Sequence, residues 1–287
     1  MKNILVTGTN GQLGKCFQKE ASNYSGFHFL YTTPEELDIT SEENLNVYFD
    51  THKIDVCINC AAYTNVEKAE SEPEKAFAVN AEAVKILAEI CKFHQVILFH
   101  FSTDYVFDGK KNEAYSEEDS PNPINVYGAS KLKGEKYIQD ILERYFIFRT
   151  SWLYSEFGHN FYKTILSKSE EAGVQLKITD QQTGTPTNAN DLAKAVLKTI
   201  SLENKNYGLY HYSNMGKTTW YGFAKAILDF TGKSNTVNLQ ASDAYKTVAK
   251  RPENSLLSKF KSTVQLQLNI PYWEESLKKL ISESHAL

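Results

Sequence analysis

A doubly wound parallel α/β sheet with a smaller C-terminal lobe is the fold this sequence predicts. From Lys2 to Thr150, apolar runs of strand length alternate with helical patterns. Strands separated by helices make βαβ units, whose parallel sheet is covered on both faces. The first strand ends in a glycine-rich turn, Thr7-GTNGQLG, and after Arg149 the alternation loosens into the turn-rich Asp180-QQTGTPTNAND. The chain of 287 residues, 41% hydrophobic, can fill one large core or two lobes. The expected division is a first unit over 1–178, to which 188–213 returns, and a second over 214–287.

Each element follows from its local pattern. The run from Lys2 to Thr7 is a strand, and a helix follows from Gln12 to about Ser22. Phe27-HFLYT is the second strand. The next helix is expected from Ser41 to His52, with Ser41 as its cap and Asn44 where a capping box would place glutamate. Asp55-VCINCA is the third strand. A long helix from Pro73 to Phe93 carries apolar residues at Phe77, Val84, Leu87, Ala88 and Cys91. Val96-ILFHFST is the fourth strand, Val126 to Leu142 a helix and Tyr145-FIFRT a strand. An amphipathic helix from Asp191 to about Leu202, a strand at Gly208-LYHYSN, a helix from Thr219 to Thr231 and a loop with Arg251-PENS complete the pattern. Such sheets bind ligands outside the carboxyl ends of their strands, so the loops there are the expected site.

Composition excludes several classes. Net charge is −4, and no lysine or arginine run suggests nucleic acid or a membrane surface. No apolar window is long enough for a membrane span, and Met1 to Thr7 does not read as a signal peptide, so a cytoplasmic protein is expected. Cys57 and Cys60 form a C-x-x-C, but residues three apart on a strand point to opposite faces. They read as small buried residues rather than as a redox or metal motif.

The candidate chemistry lies at the strand ends. Gly8, Gly11 and Gly14 are spaced G-x-x-G-x-x-G around Asn10, Gln12 and Leu13. Missing side chains let the backbone approach a pyrophosphate, whose charge meets the helix N-terminus. A plain glycine turn is the bland alternative, and the position after a first strand favours a dinucleotide. The second strand ends at Thr32 without the Asp or Glu that would hold a ribose 2′-hydroxyl, so NADPH is the expected cofactor and NADH an allowed one. Asp38 and Ile39 are placed at the adenine, with a helix cap as the alternative for Asp38. Ala61, Ala62 and Tyr63 follow the third strand, where small residues let a cofactor pass. Ser102, Thr103, Asp104 and Tyr105 close the fourth, where Thr103 could donate to a carbonyl oxygen. Tyr127 and Lys131 lie one helical turn apart on one face. A free tyrosine titrates near 10, and a neighbouring ammonium would favour its phenolate. A solvated Tyr/Lys pair is common; the ordered set of glycine loop, Ser/Thr strand end and Y-x-x-x-K favours an active site.

That set resembles the extended short-chain dehydrogenase/reductase superfamily, and within it the dTDP-4-dehydrorhamnose reductase family. The likeness rests on TGTNGQLG, INCAAYTNVEKAESEPEKAFAVN, FSTDYVFDG, YGASKLKGE, FRTSWLYS, GTPTNANDLA and RPENS, which span most of Lys2 to Ser255. It implies a Rossmann-like fold with a C-terminal substrate-binding lobe. It also implies reduction of the 4-keto group of dTDP-4-dehydro-6-deoxy-L-mannose to dTDP-L-rhamnose, a step toward cell-surface polysaccharide. By the resemblance, Tyr127 protonates the developing alkoxide, Lys131 lowers the tyrosine pKa and holds the nicotinamide ribose, and Thr103 orients the keto oxygen. Trp152 packs on the sugar, Asp104 and Tyr105 contact it, and Arg251 pairs with the diphosphate. Some relatives bind magnesium at a dimer interface through two glutamates. Those positions are Cys16 and Asn190 here, so no metal is expected, and a monomer or homodimer serves. Two readings stay open: another nucleotide-sugar reductase, epimerase or dehydratase of the superfamily, and a non-catalytic NADP-binding regulatory subunit. Tyr105 after Asp104 removes the Asp-Glu pair expected of a dehydratase.

Overall fold

The computed structural model describes residues 1–171, 173–243 and 247–285. Six parallel strands form its main sheet: β1 (Lys2–Thr7), β2 (Phe27–Thr32), β3 (Val56–Asn59), β4 (Ile97–Thr103), β5 (Tyr145–Thr150) and β6 (Gly208–His211). Their spatial order is β6-β5-β4-β3-β1-β2. The chain lays β2 on one side of β1 and then β3 on the other, so the winding reverses between β1 and β3. The loops leaving these two strands diverge there and open a crevice.

The central strands read as apolar runs because both faces are covered. One cluster packs α1 (Gln12–Glu20) and the helix Ala189–Ser201 against Ile4, Val6, Phe99 and Phe148. The other packs α2 (Glu42–Thr51) and the helices of the third and fourth crossovers against Leu5, Cys57, Leu98 and Ile147. Ser41 caps α2 as expected, accepting from the Asn44 N–H.

The expected helix from Pro73 to Phe93 forms with an interruption. Pro73–Phe77 and Ala83–Phe93 are α-helical, and Ala78–Glu82 between them is a π-helical turn. Asn80 in that turn grips the Tyr63 backbone through both its N–H and C=O, and donates to Ser130 Oγ at 3.0 Å. The following crossover helix, Val126–Ile141, is capped by Asn125 Oδ1, which accepts from the Gly128 N–H at 2.7 Å. A Cβ on Gly128 would lie 2.1 Å from the Tyr105 carbonyl oxygen, so this helix starts in direct contact with the loop after β4. Its inner face is tied to β5 by a buried ion pair, Glu135 to Arg149 at 2.6 Å.

A third cluster forms the second lobe. The helices Phe161–Lys168, Trp220–Phe230 and Trp273–His285 pack around Tyr154, Phe223 and Trp273. The strand Gln175–Ile178 pairs with Asn238–Ala241. Phe161–Lys168 and Gln175–Ile178, which the sequence pattern assigns to the first unit, therefore pack in the second. Among the described residues, no helix is long and apolar enough to cross a membrane.

Candidate active site

Two adjoining clefts open at the crevice between β1 and β3, of about 590 and about 300 Å³. Asn10, Gly11, Cys60, Ala61 and Ala62 line both. The glycine loop makes this possible. Gly8 has φ +66°, in the left-handed region, and a Cβ there would lie 2.6 Å from the Ala61 nitrogen. Gly14 is spaced for packing instead: a Cβ there would meet the Gly8 oxygen at 2.6 Å, and Gly14 lines neither cleft. Gly11 caps α1 with no side chain, which leaves the first N–H groups of the helix open to an anion. Gln12 and Leu13 line the larger cleft, where Gln12 Oε1 accepts from Asn160 at 2.6 Å and so joins the loop to the second lobe.

The smaller cleft holds Asp38 and Ile39. Asp38 Oδ1 also accepts from the Thr40 N–H and hydroxyl, at 2.9 and 2.7 Å, which fixes a turn; the following helix is capped by Ser41, so Asp38 is not a helix cap. Two expected cofactor residues are turned away from both clefts. Thr32 is buried with its hydroxyl on the Val6 carbonyl at 3.4 Å, because alternation along β2 faces it into the sheet. Tyr63 sends its hydroxyl to Glu72 at 3.0 Å while Asn80 holds its backbone.

The larger cleft collects Ser102, Thr103, Asp104, Tyr105, Tyr127 and Lys131. Thr103 accepts from the Tyr105 N–H at 3.1 Å and donates to Asp104 Oδ1 at 3.0 Å. A hydroxyl has one proton, so in this geometry Thr103 gives it to Asp104 and not to a substrate. Burial pushes the Asp104 carboxyl up to about 6, against the Ser255 and Thr103 hydroxyls, which lower it. Tyr127 lies in the first turn of its helix, edge-on to Tyr105 with ring centroids 6.1 Å apart. Burial, then the Asp104 charge, push its phenol well above the usual tyrosine range, with the Thr103 hydroxyl opposing. Lys131 is not among the groups that act on the phenol here, so the expected lowering is absent in the free protein. Burial pulls Lys131 down to about 8, with Glu135 and Cys60 opposing. Its Nζ lies 3.3 Å from His100 Nε2. Ser130, between the two, donates to the Tyr127 carbonyl at 2.8 Å and serves the helix rather than the cleft.

Trp152 lines the cleft from the loop after β5, with φ +46°, a strained value for a bulky residue. Its ring stacks on Trp220 at 3.8 Å and lies so close to Gly184 that a Cβ there would be 2.5 Å away. Arg251 lines neither cleft. Its guanidinium is 2.6 Å from Glu67, which also accepts from the Val248 N–H at 2.8 Å. Beside that ion pair, the guanidinium hydrogen-bonds the side chain of Tyr105, which lines the larger cleft. Trp220 and His100 are the site residues that motif reading does not reach. Trp220 has no local signature; His100 carries one, a lone histidine inside an otherwise apolar strand.

At the two family magnesium positions, Cys16 is buried, and Asn190 donates to Glu156, which pairs with Lys19 at 2.7 Å. Among the described residues no group of three or more His, Cys, Asp or Glu is placed to hold a metal ion.

The family described as RmlD substrate binding domain matches residues 1–286. The dTDP-4-dehydrorhamnose reductase of Aggregatibacter actinomycetemcomitans is 36% identical over 290 residues, covering 98% of each chain. A crystal structure of a dTDP-4-dehydrorhamnose reductase from Clostridium acetobutylicum superposes with a TM-score of 0.93 at 37% identity, over 99% of each chain. That of Bacillus anthracis, in complex with NADP, superposes with a TM-score of 0.92 at 35% identity, over 99% of this chain and 100% of that one. On this full-length match, the chain belongs to the RmlD substrate binding domain family, that of the dTDP-4-dehydrorhamnose reductases.

Proposed function

We propose that this protein reduces the 4-keto group of dTDP-4-dehydro-6-deoxy-L-mannose to give dTDP-L-rhamnose, with NADPH as reductant. The observation that carries the reading is the meeting, in one cleft, of the bare glycine loop with Thr103, Tyr127 and Lys131. The cofactor fits the residues present. The side-chain-free approach at Gly8 and the open N-terminus of α1 suit a pyrophosphate, and the smaller cleft beside Asp38 and Ile39 suits an adenine. NADPH supplies the hydride when bound.

The chain's own residues handle the proton. Reduction of a ketone leaves an alkoxide, a far stronger base than a phenolate, so the donor must arrive protonated. Burial and the Asp104 charge hold the Tyr127 phenol in that neutral form. Lys131, as ammonium, would stabilise the phenolate left after transfer and hold the ribose. For Thr103 to orient the keto oxygen, its proton must leave Asp104 Oδ1, which links that role to the Asp104 charge. Trp152 offers an aromatic face to the sugar. The second lobe serves as substrate lobe, the first as cofactor domain, and a cytoplasmic monomer or homodimer belongs to the same reading.

The test is NADPH and NADH oxidation with the keto-sugar nucleotide. Wild type should turn over, and Tyr127→Phe should lose about 10²–10⁴-fold in kcat with NADPH binding retained. No oxidation by wild type rejects the reaction; full activity in the Phe variant rejects the proton donor.

A further inference from the structure

His100 stands in the middle of β4 with no exposed surface, and it belongs to a chain of polar groups running from the sheet to the cleft. Thr7 Oγ1 donates to Asn59 Oδ1 at 2.7 Å, and the Ala61 N–H donates to the same oxygen at 3.2 Å. A backbone N–H can only donate. The Asn59 oxygen is therefore fixed toward Ala61, and its NH₂ faces the other way. That NH₂ lies 3.2 Å from His100 Nδ1. An amide NH₂ has only protons to offer, so Nδ1 must accept, and the neutral ring carries its proton on Nε2. Nε2 in turn is 3.3 Å from Lys131 Nζ. An ammonium there has no lone pair to receive the Nε2–H. Only the neutral amine closes the chain without a donor facing a donor.

The other groups around Lys131 do not reverse this. Glu135, one turn along the same helix, favours the ammonium, but its carboxylate is bonded through both oxygens to Arg149 at 2.6–3.2 Å. Burial raises the Cys60 thiol, which is neutral. Tyr127 is a neutral phenol, with the Asp104 carboxyl beyond it. Burial holds His100 itself neutral.

We infer that His100, oriented by Asn59 and Ala61, is a positioning residue that favours the neutral amine of Lys131 in the free protein and couples cofactor binding at alkaline pH to uptake of a proton from solvent. The coupling rests on the reading that Lys131 meets the cofactor ribose, whose oxygens can accept from an ammonium and so replace the lost bond to His100. Burial lowers Lys131 in the same direction, to about 8, so the coupling appears above that pH and not below it.

Two measurements test it. Long-range ¹H–¹⁵N correlation spectra of the wild-type protein at about pH 9, above the Lys131 value, with His100 assigned by its loss in His100→Phe, read the tautomer without any assay. A proton on Nε2 supports the inference; a proton on Nδ1, or a charged ring, overturns it. The Kd of NADPH against pH reads the coupling. In wild type it should weaken about tenfold per pH unit above a break near 8, as the amine must be protonated to bind. In His100→Phe, which removes the Nε2–H, the break should move up by about one pH unit. An unchanged break with a uniformly weaker Kd would make His100 merely structural and overturn the proposal. Failure of wild type to bind NADPH at any pH would instead reject the cofactor reading, while the tautomer result would stand.

Discussion

The hydroxyl proton of Thr103 and the carboxyl of Asp104 form a unit whose state depends on pH. Asp104 is raised from 3.8 to about 6, mainly by burial. A carboxyl whose folded pKa lies above its unfolded one favours the fold below the lower value and opposes it once both states are ionised. The opposition is therefore complete above about pH 6 and disappears as pH falls through 6 toward 4, with a ceiling of about 3 kcal/mol. Asp104→Asn keeps an acceptor for Thr103 and removes the charge. Urea unfolding should find the variant more stable than wild type at pH 8, by up to about 3 kcal/mol, and the gain should vanish near pH 4. A gain independent of pH would mean that Asp104 is not the titrating group. The dipeptide Thr103–Asp104 is legible in the sequence as a strand-end pair. Its internal hydrogen bond is not, because a hydroxyl's direction depends on neighbours brought in by the fold.

At the scale of elements, the crossover helix Val126–Ile141 sets the site by how closely it begins against the loop after β4. Gly128 permits that approach, and Gly134 permits another against the Asn80 carbonyl, where a Cβ would lie at 2.2 Å. Gly128→Ala should cost about 1–3 kcal/mol by forced separation of helix and loop. Turnover should fall with it, since Tyr127 is the adjacent residue; thermal unfolding beside steady-state kinetics would show both. A variant of wild-type stability and rate would mean that the loop yields freely. The main strands and crossover helices were readable because a continuous apolar run and an apolar period of 3.6 are local properties. The π-helical turn at Ala78–Glu82 was not, since one extra residue in a turn leaves composition and period nearly intact. The helices Phe161–Lys168 and Trp273–His285 escaped for another reason. Each completes its apolar face only against the other elements of the second lobe.

Across the whole molecule, the glycine loop reaches the second lobe through Gln12 and Asn160, and the loop after β3 holds the C-terminal region through Glu67 and Arg251. Both contacts border the clefts, so a ligand seated there stabilises the assembled chain and not one lobe. NADPH at about a hundred times its Kd should add about 2.7 kcal/mol to the unfolding free energy. The transition should rise in temperature and stay single by calorimetry. A transition that splits, with only its first part shifted, would show lobes that unfold independently. The face-to-face indoles of Trp152 and Trp220 give the same cleft an optical readout. They are two of the chain's three tryptophans, and rings 3.8 Å apart are close enough to couple electronically. A ligand that parts them changes the near-ultraviolet circular dichroism and the emission together, so the occupancy of the cleft can be followed in solution without a label.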